Sequence, residues 1–211
     1  LPTSEFFWIK VASLAALKKS PLILAKIDIA HYRSLISYYG AEFEARLLEK
    51  AGSLLTSYPN VLSASHYPQS DQFLILLYDD EVGAMKTIDG FTNGLSMIRH
   101  NVSISFHVGF YKITDPLEPS LVMDNKLSLA HHEARLQHNA PYILYDDSLG
   151  KRNEKEGELL NSFAKSLLNE DFLIFVQPKY NMAKQVFYGV ESLVRWKKVM
   201  IYCFLVILSP S

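Results

Sequence analysis

The order of helical and strand patterns along residues 1–146 constrains the fold of this chain most. Apolar residues at helical spacing predict helices over residues 6–17, 31–39, 43–55, 80–98 and 121–138. Short apolar or alternating segments predict strands over 22–29, 61–65, 73–78, 102–110 and 142–145. The turn between the second and third strands contains Pro, Ser and Asp, which favours a hairpin. We therefore expect an α/β (α+β) domain with one sheet flanked by helices over residues 1–147.

The remainder of the chain differs in composition from this first domain. Lys, Arg and Glu dominate residues 150–157, which predicts a charged linker over 148–158. A helix over 159–168 and two strands, starting at Phe172 and Val186, make up a second segment that we bound at 159–198. Residues 199–211 form an atypical apolar tail.

Composition excludes several classes of function. The formal net charge is -1 and no basic stripe is visible, which argues against a nucleic-acid-binding platform. Cys203 is the only cysteine, so the chain has no internal disulfide and suits a reducing cytoplasm. The apolar run Val199–Leu208 is about half of the ~20 residues that a membrane-spanning helix needs. We expect a cytoplasmic fragment without a membrane span, whose parent protein could carry an anchor elsewhere.

Two segments near the end of the chain form a specific motif. Gln177-Pro178 ends one predicted strand, and the next reads G-V-E-S-L-V-R-W over residues 189–196. This pair resembles the opening strands of an EAL domain, the bacterial phosphodiesterase that hydrolyses cyclic dimeric GMP (c-di-GMP), in which the second strand reads G-x-E-A-L-x-R-W. The resemblance implies a dinucleotide contact at Gln177, a metal ligand at Glu191 and a phosphate contact at Arg195. Only fifteen residues follow Trp196, so the rest of a TIM-type barrel of about 250 residues is expected to be truncated.

The residues upstream resemble a GGDEF domain, the diguanylate cyclase module. I-D-I-A-H-Y-R over 27–33 is similar to the family's L-D-I-D-x-F-K, and Q-S-D-Q-F over 69–73 occupies the position of G-G-D-E-F. Leu1-Pro2, Ala134-Arg135 and Tyr145-Asp146 match further family positions. The resemblance implies a nucleotidyl-cyclase-type sheet and places Asp28 and Asp71 at the family's magnesium ligands. It also implies GTP or c-di-GMP as weak ligands.

Departures from the family pattern predict a degenerate site. Gln69 and Ser70 replace the two glycines that let a nucleotide approach the backbone, and Gln72 replaces the signature glutamate, whereas Phe73 is retained. The family's two guanine-reading residues fall on Ile36 and Ala45, which offer no hydrogen-bonding side chain. Its inhibitory R-x-x-D falls on residues 60–63, which read N-V-L-S. We therefore interpret the metal and signature positions as vestigial. We assign no catalytic residue and no certain cofactor. Magnesium is the cation that the resemblance implies.

Histidines do not predict a separate metal site. His131 and His132 are adjacent on a predicted helix and point to different faces, and His107 is interpreted as a structural strand residue.

Three functions stay open from the sequence. The first is a non-catalytic regulatory or interaction module that works with a protein partner or an upstream sensor domain. The second is part of a c-di-GMP phosphodiesterase in which the GGDEF-like domain binds GTP allosterically. The third, a weak diguanylate cyclase, is the least favoured because so many family residues are replaced together.

Overall fold

A computed structural model describes residues 1–17, 21–67, 70–98, 104–137 and 142–197. The chain divides into two compact units, Leu1–Gly150 and the residues from Lys151 onward. The boundaries predicted at 147, 158 and 198 stay predictions, and the tail 199–211 lies outside the described residues.

The first unit contains one mixed sheet and the helices that cover it. The helices are α1 (Ser4–Ala16), α2 (Tyr32–Tyr39), α3 (Ala41–Ser57), α4 (Glu81–Ser96) and α5 (Ser120–Leu136). The strands are β1 (Leu22–Ile29), β2 (Val61–His66), β3 (Phe73–Tyr78), β4 (Phe106–Lys112) and β5 (Ile143–Leu144). Their order in the sheet is β2-β3-β1-β4-β5, with β1 antiparallel to both of its neighbours and β5 parallel to β4. The predicted α/β class and the predicted hairpin, β2–β3, are confirmed.

The helix starts follow from local chemistry. Thr3 Oγ1 accepts a hydrogen bond from Phe6 N at the start of α1, and Asp80 Oδ1 accepts one from Gly83 N at the start of α4. The strand expected over 102–110 begins at Phe106, which is the first residue of β4 that pairs with β1. Ile104 and Ser105 lie before this ladder. Residues 102 and 103 lie outside the described part of the chain.

The central strand β1 separates two apolar cores. Ile23, Ala25 and Ile27 belong to a core that contains residues of α3 and α4. Leu22 and Leu24 belong to the opposite core, with residues of α1 and α5. On this second face the strand then continues with Lys26 and Asp28, so its apolar side becomes polar towards its C-terminal end.

The second unit consists of most of α6 (Asp147–Leu168) and a hairpin of β6 (Phe172–Asn181) and β7 (Val186–Trp196). The helix expected over 159–168 begins at Asp147, so the segment 148–158, predicted to be a charged linker, is helical. Lys, Arg and Glu have good helix propensity, and their mixed signs suit a solvent-exposed helix. The described residues form no closed barrel.

An aromatic cluster joins α6 to the hairpin. Phe163 lies 5.3 Å from Phe172 and 6.0 Å from Trp196 between ring centroids. Two apolar residues further along β6 are open to solvent: Ile174 and Val176 are 72% and 63% exposed. None of the helices in the described residues is long and apolar enough to cross a bilayer.

Gly109 lets α5 pack directly on β4. A Cβ atom at this position would collide with the backbone nitrogen, Cα and Cβ of His131. We therefore expect Gly109→Ala to lower the free energy of unfolding by about 1–3 kcal/mol, measured by urea denaturation followed by circular dichroism.

Gly52 in α3 is the matched control for this substitution. A Cβ atom there meets no other atom within 4 Å, so Gly52→Ala should stabilise the helix by about 0.5–1 kcal/mol. Equal effects of the two substitutions would contradict the close packing of α5 on β4.

Candidate functional site

Asp28 and Asp71 line one pocket of about 420 Å³. The pocket lies at the C-terminal end of β1 and the start of α2. The turn of the β2–β3 hairpin also reaches it, because Asp71 lies in this turn and the following strand, β3, pairs with β1. Asp71 Oδ2 accepts a hydrogen bond of 3.2 Å from the backbone nitrogen of Ile29. Arg33 and Arg135 are further side chains that line this pocket.

The carboxylate of Asp28 is held by basic side chains of the protein itself. His107 Nδ1 donates a hydrogen bond of 2.6 Å to Asp28 Oδ1. Arg135 Nε lies 3.4 Å and His131 Nε2 lies 3.6 Å from the other oxygen, Oδ2. The Asp28 side chain is only 5% exposed, so both of its oxygens are enclosed by groups that carry or can carry positive charge.

Strand register and helix periodicity bring this cluster together. Asp28 and His107 are direct partners in the β1–β4 ladder. His131 and Arg135 are four residues apart on α5 and therefore share one helix face. That face lies against β4 because Gly109 leaves room for the helix backbone.

The charges around Asp28 outweigh the effect of burial on its ionisation. Burial by itself would raise the pKa of this carboxyl group. The neighbouring His131 and His107 side chains favour the ionised form more strongly, and they hold the pKa of Asp28 below its ordinary value.

The GGDEF resemblance implies magnesium ions at Asp28 and Asp71. Mg²⁺ requires a near-octahedral set of oxygen ligands at about 2.1 Å. Asp28 Oδ1 accepts the hydrogen bond from His107, and Arg135 Nε lies 3.4 Å from Oδ2. No group of three or more His, Cys, Asp or Glu within the described residues is arranged to hold a metal ion. The residues present do not fit a magnesium site.

The remaining signature residues have structural contacts. Ser70 Oγ accepts a hydrogen bond of 3.2 Å from Gln72 N within the turn. Phe73 is 1% exposed, belongs to the apolar core and packs 4.9 Å from the His66 ring. Gln69 lies outside the described residues.

The positions that match the family's base-reading residues and the first of its product-binding residues have other contacts or carry no polar group. Ile36 packs against the apolar core, and Ala45 is exposed on α3. Asn60 uses its side-chain amide internally, donating to Asp79 Oδ2 and Thr87 Oγ1 at 2.8 Å each. The structure thus gives Asn60 a fold-stabilising contact that the sequence did not reveal.

In the second unit, the hairpin places Gln177 directly opposite Glu191. Glu191 Oε2 pairs with Lys179 Nζ at 3.3 Å. Arg195 stands opposite Leu173, and its side chain points to the same face of β7 as Glu191. The carboxylate expected from the EAL resemblance to bind a metal is therefore paired with a lysine.

Comparison with known proteins identifies the fold of the first unit. No protein-family model matches the chain. The GGDEF domain of PA1120 (YfiN or TpbB) from Pseudomonas aeruginosa is 16% identical, with 73% of this chain and 95% of that chain covered and a TM-score of 0.60. The GGDEF domain of DgcB from Caulobacter crescentus, in complex with c-di-GMP, is 13% identical over 67% of this chain and 86% of that chain, with a TM-score of 0.54. The first unit has the fold of a GGDEF domain.

Two longer proteins also match. Vibrio cholerae LapD, as an S helix-GGDEF-EAL structure bound to c-di-GMP, is 14% identical over 97% of this chain and 49% of that chain, with a TM-score of 0.61. Signaling protein YkoW of Bacillus subtilis is 22% identical over 176 residues, which is 80% of this chain. The chain spans only 22% of the length of YkoW.

The stability of the first unit should depend on pH through Asp28. Because folding lowers the pKa of Asp28 below 3.8, the stabilisation is present above that value and lost as the pH falls through the folded-state pKa. We expect Asp28→Asn to lower the free energy of unfolding by about 1–3 kcal/mol at pH 7. The difference from the wild type should shrink in urea denaturation below pH 3.8.

Asp89→Asn on the exposed surface of α4 is the control and should change little at either pH. A deficit of Asp28→Asn that persisted unchanged in acid would show that the charge on Asp28 is not what stabilises the cluster.

Proposed function

We propose that this chain is a non-catalytic regulatory or interaction module of a bacterial c-di-GMP signalling protein. It combines a degenerate GGDEF domain with the opening helix and strands of an EAL-type domain. The likeness to GGDEF domains and to the GGDEF-EAL protein LapD supports the assignment to this pathway. The single cysteine of the chain is in keeping with work in a reducing cytoplasm.

One observation is the main support for the non-catalytic role: the carboxylate of Asp28 is already engaged by His107, His131 and Arg135. Phosphoryl transfer on GTP depends on metal ions that bridge the phosphates and neutralise developing charge. His107 occupies one oxygen of this carboxylate, and the positive charge of Arg135 beside the other oxygen opposes the approach of such an ion. Gln72 stands where the GGDEF signature has a glutamate, so the turn beside Asp71 lacks a second acidic group.

A second candidate is the allosteric GTP-binding role within a phosphodiesterase. It is favoured by the guanidinium groups of Arg33 and Arg135 at the pocket, since such groups recognise phosphates. Binding of labelled GTP to the whole chain, and its loss in Arg33→Ala, would distinguish this role from the first. A protein partner is supported by the solved complex of the diguanylate cyclase SiaD with its activator SiaC, which matches this chain at 15% identity.

We predict that the chain makes no c-di-GMP from GTP with Mg²⁺ or Mn²⁺, as measured by chromatography of the reaction mixture. The Gln72→Glu variant, which restores the signature glutamate, should be equally inactive because Asp28 remains engaged. Product above a no-protein blank, abolished by Asp71→Ala, would overturn the non-catalytic role.

We also predict that the chain does not hydrolyse c-di-GMP. Glu191 is one carboxylate and is paired with Lys179, whereas two-metal hydrolysis needs several ligands that position both ions and the attacking water. Incubation with c-di-GMP and Mn²⁺ should leave the substrate intact. Turnover that is retained in Asp71→Ala but lost in Glu191→Gln would instead assign phosphodiesterase activity to the second segment.

A further inference from the structure

A groove separates α1 from the N-terminal end of α5 on the first unit. It has a volume of about 470 Å³ and is lined mainly by Glu5, Trp8, Ile9, Ala12, Leu121 and Asp124. Ile9 and Leu121 are 59% and 71% exposed, although both are large apolar side chains. Exposed apolar side chains grouped around one groove make it a candidate protein-interaction surface.

The charge of this groove is entirely acidic. Glu5 and Asp124 are the charged residues among those that line it. The lysines within the two helices bond elsewhere: Lys10 donates to Leu62 O, and Lys126 pairs with Glu118. Neither lysine neutralises the groove.

One carboxylate oxygen of Asp124 has no hydrogen-bond donor among the described residues. Its Oδ1 atom is shielded from solvent and accepts no hydrogen bond from any described residue. A shielded carboxylate oxygen without a donor is costly. An ammonium or guanidinium group placed in the groove would be attracted by the negative charges of Glu5 and Asp124.

We propose that this groove docks an amphipathic helix of a partner protein, with an apolar side chain between Ile9 and Leu121 and a Lys or Arg beside Asp124. The groove is formed by two helices whose backbone groups are bonded internally, so it offers no strand edge for an extended peptide. A helix satisfies its own backbone and can present both the apolar and the basic group on one face. The surface uses no residue of the Asp28 pocket and therefore does not depend on the proposed function.

The test uses the whole chain and a labelled synthetic helix of about 15 residues as the probe, with leucines at helical spacing and flanking lysines. Fluorescence anisotropy should show saturable binding. A matched peptide with glutamates in place of the lysines should bind at least about tenfold more weakly. Equal binding of the two peptides, or none of the lysine peptide, would overturn the proposal.

Variants of the chain locate the binding surface. Leu121→Ser and Asp124→Asn should each weaken binding of the lysine peptide by about tenfold. Leu136→Ser, a change of another exposed leucine of α5, and Asp89→Asn should leave binding unchanged. Equal loss in Leu121→Ser and Leu136→Ser would place binding elsewhere. Light scattering that detects a dimer of the wild type, dissociated by Leu121→Ser, would make a second copy the occupant and overturn the partner helix.

Discussion

The burial of β1 on both faces is the constraint on which the first unit depends. The strand pairs with β3 on one side and β4 on the other, and its alternating side chains enter both apolar cores. Each large apolar side chain buried in this way contributes about 1.5–3 kcal/mol. Residues of α1, α3, α4 and α5 share the two cores that β1 enters, so the position of Asp28 near its end is fixed by the fold.

A carboxylate in such a strand would be costly to bury without compensation, since an isolated buried charge is strongly unfavourable. His107, His131 and Arg135 supply that compensation from β4 and α5. Lys26 behaves in a similar way two residues earlier, where its ammonium group donates to Ser128 Oγ of α5 at 3.0 Å. The polar end of β1 is thus bound to α5 by hydrogen bonds and ion pairs of side chains, whereas its apolar end contacts the helices through the hydrophobic core.

The sequence predicted the elements better than the partners of their polar side chains. Apolar periodicity is local, and it located the helices and strands of the first unit and the hairpin. The charged run 148–158 lies within α6, and its composition alone does not distinguish an irregular linker from an exposed helix. The bond between Asp28 and His107 joins residues 79 positions apart, and it depends on a strand register that periodicity does not encode. Family resemblance identified Asp28 and Asp71 but not the basic groups that surround Asp28.

The contacts of Asp28 also bear on the regulatory role that we propose for the first unit. A ligand shifts the balance between two conformations only if it binds one of them better. A metal-dependent site can exist in loose and ordered forms, and arrival of the ion then changes their populations. Here β1, β4 and α5 are joined around Asp28 by the protein's own side chains, so the ordered form exists before any ion arrives. For the regulatory role proposed above, this means that binding of an ion at Asp28 is not needed to order β1, β4 and α5.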